Sequence, residues 1–185
     1  MFHFNLIAHS EKLSDFTPEE ILLKELSDSV DFYDDCPPSD LYSRFSLAVE
    51  ILCYEACRTH CLNLEINGFS IEWKEYFRYL DNILPDILFT LSDIKNSRPT
   101  NLYFYSADRK IVFTPLNKQL YQIQIDSHAP HPITETASTD YLQTALEQIA
   151  AAFFQFAKTV YPLIFSQYLL PYLKEKSERE HLIHF

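Results

Sequence analysis

The chain predicts an α+β fold: an antiparallel sheet, built from a hairpin and a three-strand meander with an N-terminal strand as a possible addition, packed with about four to five helices in one domain over residues 1–185. Three observations carry this expectation. Residues 62–73 alternate apolar and polar around Asn67-Gly68, residues 102–125 alternate in three short runs, and around these blocks the apolar spacing lengthens to three and four. A period of two marks a strand with one buried face, and a period near 3.6 marks a helix with one buried stripe. At 185 residues, 47% hydrophobic and 15% aromatic, the chain has enough apolar side chain for one substantial core.

In chain order, Phe2, Phe4 and Leu6 alternate with His3 and Asn5, which predicts a short opening strand able to pair with residues 62–66. Thr17-Pro18-Glu19-Glu20 reads as a helix start, with Thr at the N-cap, Pro at the first helical position and Glu at the third closing a capping box. That helix is expected to run to about Ser27. Ser39, after Pro37-Pro38, is placed to cap a second helix from Asp40 to about Cys61, whose apolar stripe holds Leu41, Phe45, Ala48, Val49, Leu52 and Ala56.

Residues 62–66 and 69–73 form the hairpin, with Asn67-Gly68 as its turn because both positions tolerate positive φ. Gly68 is the only glycine in the chain. From residue 74 to about 93, Phe77, Leu80, Leu84, Ile87, Leu88 and Leu91 recur at helical spacing, and Pro85 is expected to kink or split that run. The runs at 102–105, 111–114 and 120–125 predict the meander, with links at 106–109 and 116–118 and with Ile111 and Phe113 set beside Tyr121, Ile123 and Ile125. Ser138-Thr139-Asp140 starts the strongest helix, whose apolar face extends from Leu142 through Ile149 and Phe153 to Val160, where Pro162 ends or bends it. A further helical segment at 163–173 carries Phe165, Tyr168 and Tyr172, as core or as a dimer contact, and a charged tail from Lys174 is expected to fray.

Charge narrows the function classes. Residues 1–93 hold 18 acidic against 6 basic residues, or −12, and residues 94–185 hold 8 against 9, or +1, which together give the net −11. A binder of nucleic acid or of an anionic membrane surface needs the opposite sign, so the expected partners are cationic proteins or none, since net charge also serves plain solubility. One glycine excludes the Gly-rich phosphate loops and the GxSxG elbow. The opening residues lack a basic region followed by a long apolar stretch, so no secretory signal is expected. The most apolar stretch, 148–173, is broken by Lys158 into uncharged runs of 10 and 15 residues, short of the roughly 18 that a spanning helix needs. Four cysteines in a chain of this size do not make a disulfide framework, and a cytoplasmic setting follows.

Candidate chemistry is sparse. Cys53, Cys57 and Cys61 recur every four residues with His60 beside them, which sets thiols along one helix side where zinc chemistry is conceivable. Against it, ligands one turn apart rarely converge tetrahedrally without a second segment, and buried cysteine is common, so the core reading is preferred. His128 and His131 fall in a proline-rich loop and His181 and His184 near the C-terminus, where exposed polar roles are the usual ones. Nothing marks Cys36 or Cys53 as an activated nucleophile, and no carboxylate is set apart by its context. No enzyme activity, cofactor or metal is therefore expected. Between Lys24 and Arg44 there is no basic residue while Glu25, Asp28, Asp31, Asp34, Asp35 and Asp40 all occur, with Phe32 and Tyr33 interleaved. This is either a solvated acidic loop or a docking surface for a basic partner formed by Asp28, Asp31, Phe32, Tyr33, Asp34 and Asp35.

The run LNLEINGFSIEWKEYFRYLDNILPDIL (62–88), then NLYFYSADRKIVFTPLNKQLYQIQI (101–125), then YLQTALEQIAAAFFQFAKTVYP (141–162), resembles in layout the small acidic immunity proteins of bacterial toxin–immunity systems, including the contact-dependent and polymorphic toxin families. The resemblance implies a cytoplasmic bacterial protein that binds and blocks a cognate toxin, often a basic nuclease, and it brings no catalytic residues. Two other readings stay open: a structural homo-oligomer joined through the aromatic segment at 163–173, and a metal-dependent enzyme using the cysteine stripe or the histidines.

Overall fold

The two hydropathy periods resolve into two antiparallel sheets and a set of helices, and the helices share one apolar cluster with the four-stranded sheet. The structure is a computed structural model. It describes residues 3–8, 15–32, 40–59, 62–68, 71–73, 80–104, 109–126 and 133–180, with backbone alone at 3–8, 30–32, 57, 62–68, 71–73, 80–82, 109, 126, 133 and 178–180. In order, the elements are β1 (His3–Ala8), α1 (Glu19–Phe32), α2 (Leu41–Arg58), β2 (Leu62–Gly68), β3 (Ile71–Trp73), α3 (Leu80–Lys95), β4 (Thr100–Phe104), β5 (Arg109–Asn117), β6 (Leu120–Asp126), β7 (Ile133–Ser138), α4 (Thr139–Val160), α5 (Pro162–Ile164), a π-helical turn (Phe165–Leu169) and α6 (Leu170–Glu180).

The expected α+β class holds, but the strands divide into a sheet ordered β1-β2-β3 and a separate sheet ordered β4-β5-β6-β7. The opening strand pairs with the hairpin as expected, Phe4 opposite Ile66 and Leu6 opposite Leu64. The hairpin's register differs: Ile66 faces Trp73 and Gly68 faces Ile71, so residues 69–70 connect the strands and Asn67-Gly68 belongs to β2. Strand pairing thus extends two residues past the expected end of β2, and an even shift leaves the alternation pattern unchanged, so alternation alone could not separate the two registers.

The meander gains an unexpected fourth strand. β7 pairs Tyr121 with Ala137 and Ile123 with Glu135, and its weak alternation, with Glu135 and Ala137 at positions where large apolar residues are the usual signal, hid it. The expected inner face forms, with Ile111 opposite Ile125 and Phe113 opposite Ile123, all four buried. β5 outruns the expected 111–114, and the turn to β6 falls at 118–119, where the Gln119 amide donates to Asn117 Oδ1 at 2.8 Å. Pro115 sits in β5 beside a register irregularity. It is tolerated because the β4 ladder has already ended at Thr100 opposite Phe113.

Helix ends show what local signals miss. α1 continues through Phe32 where an end near Ser27 was expected, since no breaker intervenes before Pro37. α2 is capped by Asp40, not Ser39: the Tyr42 amide donates to Asp40 Oδ1 at 3.0 Å and the Ser43 hydroxyl to Oδ2 at 2.8 Å. The Ser43 hydroxyl and Tyr42 amide hold the Asp40 carboxyl below its usual range. α3 passes through Pro85 as one helix, because the proline lies near its start and forfeits only the bond to residue 81; residues 74–79 lie outside the described residues. α4 starts where expected, with the Ser138 hydroxyl accepting from the Tyr141 amide at 3.2 Å. The tail does not fray at Lys174, because Tyr172 and Leu173 are buried and α6 runs on to Glu180.

The π-helical turn has a clear cause. Pro171 has no N–H to give the residue 167 carbonyl and its ring crowds that oxygen. Widening the helix, with the Leu170 amide bonded to the Phe165 carbonyl, relieves the crowding.

The end of α3 carries a testable strain. Ser97 has φ 54, and the bonds Ser97 N to Ile94 O (3.0 Å) and Arg98 N to Asp93 O (2.8 Å) close a Schellman motif. Glycine is the natural occupant of that left-handed position, so Ser97→Gly is expected to raise stability by about 0.5–1 kcal/mol. Urea denaturation checks it; an unchanged or lower midpoint would mean the left-handed cap is not costly here.

One apolar cluster includes Leu26 of α1, Phe45 and Leu52 of α2, Leu91 of α3, Phe113 and Tyr121 of the meander, Phe153 of α4 and Leu169 of the π turn. α4 runs beside β1 and α3, and α2 packs on α3, on the π turn and on α6. Tyr121 is fully buried, and its hydroxyl donates toward Arg98 O (3.1 Å) and Ile94 O (3.4 Å), which fixes the meander to the end of α3. Burial raises that phenol's pKa, with Asp93 adding to the effect.

Candidate functional site

α1 is acidic at both ends. Its sequence EEILLKELSDSVDF has five carboxylates and one lysine, with Glu19 and Glu20 in the first turn and no basic residue in the last. Carboxylates near a helix N-terminus complement its dipole, while those near the C-terminus oppose it. Leu22 and Leu26 point into the core, which leaves Glu20, Ile21, Lys24, Glu25 and Asp28 on the outer side, all exposed. Of the sequence-predicted contact residues, Asp28 is therefore exposed on a helix and not in a loop. Asp31 and Phe32 are in the last helical turn by backbone; their side chains, and all of Tyr33, Asp34 and Asp35, lie outside the described residues. The structure thus gives a backbone position for three of the six.

A second constellation was not anticipated. Glu55, in α2, has 3% of its side chain exposed and gathers five donor bonds. Thr17 donates its amide to Oε2 (3.1 Å) and its hydroxyl to Oε1 (3.0 Å). Arg58 donates from Nε to Oε1 (3.1 Å) and from Nη2 to Oε2 (2.7 Å), and the buried Tyr161 hydroxyl donates to Oε2 (3.3 Å). Arg58 Nη2 also reaches the Asp15 carbonyl at 2.6 Å. Burial pushes the Glu55 carboxyl up, but Arg58 and Thr17 outweigh it and the net direction is downward.

This constellation corrects the capping-box expectation. The Thr17 amide and hydroxyl are given to Glu55 and not shared with Glu20, the third-position glutamate; the neighbouring Glu19 reaches away from its own helix, its Oε1 accepting from the Leu163 amide (2.7 Å) and the Ile164 amide (2.9 Å) at the start of α5. Phe16 lies against Phe156 and Tyr161, each with ring centroids at 5.9 Å. Residues 15–19 thus join the end of α2 to the corner, bent by 118°, where the chain leaves α4 at Tyr161. Both Glu55 oxygens are satisfied by donors from three different segments, so the arrangement locks helices together. Its sequence signal was present: Glu55 interrupts an otherwise apolar stripe three residues after Leu52, with Arg58 one turn later.

Cys53 is buried in the core cluster at 1% exposure. The Cys57 side chain, His60 and Cys61 lie outside the described residues, as do Cys36, His128, His131, His181 and His184. Among the described residues no group of three His, Cys, Asp or Glu is placed to hold a metal, and no single helix is long and apolar enough to cross a membrane. Phe165, Tyr168 and Tyr172 of the aromatic segment are at most 9% exposed and belong to the core cluster. No protein-family model matches this chain, and neither does any curated protein or solved structure.

Proposed function

We propose that the chain is a non-catalytic acidic binding protein acting in the cytoplasm, an immunity protein that binds and neutralises a cognate basic protein toxin. The observation that carries this reading is the outer side of α1, where Glu20, Glu25 and Asp28 are exposed and the acidic run continues to the helix C-terminus against the helix dipole. Charge kept where it costs helix stability points to a use outside the helix. Such a surface steers a basic partner into encounter and makes association fast and salt-sensitive. The homo-oligomer reading loses the segment it relied on, because Phe165, Tyr168 and Tyr172 are buried within the chain.

The test is affinity capture from lysate of the native cells at low and high salt, followed by a toxicity rescue with the captured protein. Wild type should retain one basic protein, release it at high salt and protect cells that express it. The variant Asp28→Lys/Asp31→Lys/Asp34→Lys/Asp35→Lys, with its fold checked by circular dichroism, should bind at least tenfold more weakly, since several charges are reversed at once. Equal affinity would remove these residues from the interface. Capture without protection would end the immunity reading.

A further inference from the structure

Three helices meet at a surface where aromatic rings are left half open. Tyr42, at the start of α2, and Phe89, on the outer side of α3, are each 39% exposed, and their ring centroids lie 6.2 Å apart. Tyr42 is backed by Tyr172 of α6 at 5.8 Å, and Tyr172 lies on the buried ring of Phe45 at 4.4 Å. The Tyr42 ring, and Phe89 through it, is thus held by rings fixed in the core. A single exposed aromatic needs no explanation, but two in contact on a rigid backing form a place where a ligand gains area without ordering the protein.

The chain itself shows what such a place takes. Lys176 of α6 sets its ammonium nitrogen 4.4 Å from the Phe89 ring centroid, within the range of cation–π attraction. Two carboxylates lie close to the rings along their helices. Asp40 is exposed two residues before Tyr42. Asp86 lies one helical turn before Phe89, so the two side chains share a side of α3. Asp86 is half-buried, and among the described residues no donor or cation reaches its carboxyl, which burial raises. A carboxylate drawn partly out of water without a partner gains when a cation arrives.

We propose that Phe89 and Tyr42, with Asp40 and Asp86 close to them along their helices, form a seat for an arginine side chain of a basic protein partner, and that Lys176 is the internal occupant which this arginine displaces. The proposal rests on the basic-partner reading above and adds a recognition point on residues outside α1. Arginine is favoured over the resident lysine because its guanidinium is planar, stacks on aromatic faces and is more weakly hydrated than an ammonium. Displacement also removes a positive charge from the path of the incoming one.

The experiment is a titration of isotope-labelled protein with hexa-arginine amide, followed by the ring resonances of Phe89 and Tyr42, with hexaglutamine amide as the control. Hexa-arginine should shift both rings saturably and hexaglutamine should not. Lys176→Gln should tighten binding by about threefold to fivefold, and Phe89→Leu, which keeps the apolar volume but removes the π face, should weaken it by a similar factor. Circular dichroism confirms that both variants fold. The seat is overturned if Phe89→Leu binds like wild type or if Lys176→Gln binds no more tightly. Hexa-arginine binding that survives Phe89→Leu but is lost on reversing Asp28 and Asp31 would overturn the seat while leaving the basic-partner reading in place. Binding no better than hexaglutamine would also overturn the seat, and the capture experiment would then decide the basic-partner reading separately.

Discussion

Replacing Glu55 by alanine is expected to lower the unfolding free energy by about 2–4 kcal/mol, among the largest single effects in this chain. The loss has two sources. Arg58 would lose its carboxylate, but its side chain is 40% exposed and can turn to water, which keeps the cost at or below the usual range for a broken buried pair. The Tyr161 hydroxyl is buried and cannot escape in the same way. Urea denaturation should show a lower midpoint at constant slope. Tyr161→Phe, which removes one bond and leaves the carboxylate satisfied by Thr17 and Arg58, should cost about 1 kcal/mol. A double-mutant cycle between the two positions should give a clear coupling energy, and strict additivity would mean the hydroxyl and carboxylate do not act together. The pH dependence has a definite sign. The folded-state pKa of Glu55 is depressed, so its contribution is complete above the usual glutamate range and is lost as pH falls through the depressed value. The stability difference between wild type and Glu55→Gln should accordingly be full at neutral pH and shrink as pH falls through the depressed value, because the variant has no carboxyl to protonate there; a gap independent of pH would mean that Glu55 is not held in its charged form by its partners.

Phe45→Ala is expected to cost about 3–5 kcal/mol. Phe45 is fully buried on α2 and touches elements far apart in the chain, with its ring 6.5 Å from Phe154 of α4 and 4.4 Å from Tyr172 of α6. Truncation removes the transfer free energy of the ring and leaves a cavity that two helices would have to tilt to fill. Because Tyr172 also backs Tyr42, the same change should loosen the surface aromatic pair, read as broadened Tyr42 and Phe89 ring resonances. A loss below about 1 kcal/mol would mean that the site collapses freely and is not close-packed.

Much of the fold was legible because burial follows local periodicity. The α2 stripe of Phe45, Ala48, Val49, Leu52 and Ala56 and the meander's Ile111, Phe113, Tyr121, Ile123 and Ile125 are all buried as their spacing demands. β7 was illegible because a strand whose less exposed positions include Glu135 and Ala137 lacks the contrast that alternation supplies. The candidate site was half legible. The acidic run stands out in composition, yet the exposure of Asp28 on a helix depended on α1 continuing past Ser27. The Tyr42–Phe89 pair could not be read at all, since the two residues lie on different helices and each alone looks like an ordinary amphipathic position.

The sequence alone therefore determined most of the element types, the inward faces of α2 and of the first three meander strands, the α+β class and the acidic front half, because each depends on neighbours within a turn or a strand. Only the tertiary structure decided that the strands form two sheets, that Thr17 serves Glu55 and not its own helix, and that Glu19 caps α5. The Tyr161–Glu55 and Glu19–Leu163 bonds join residues 106 and 144 positions apart. A hydrogen bond of that span depends on how whole helices pack, and no periodicity within either segment records it.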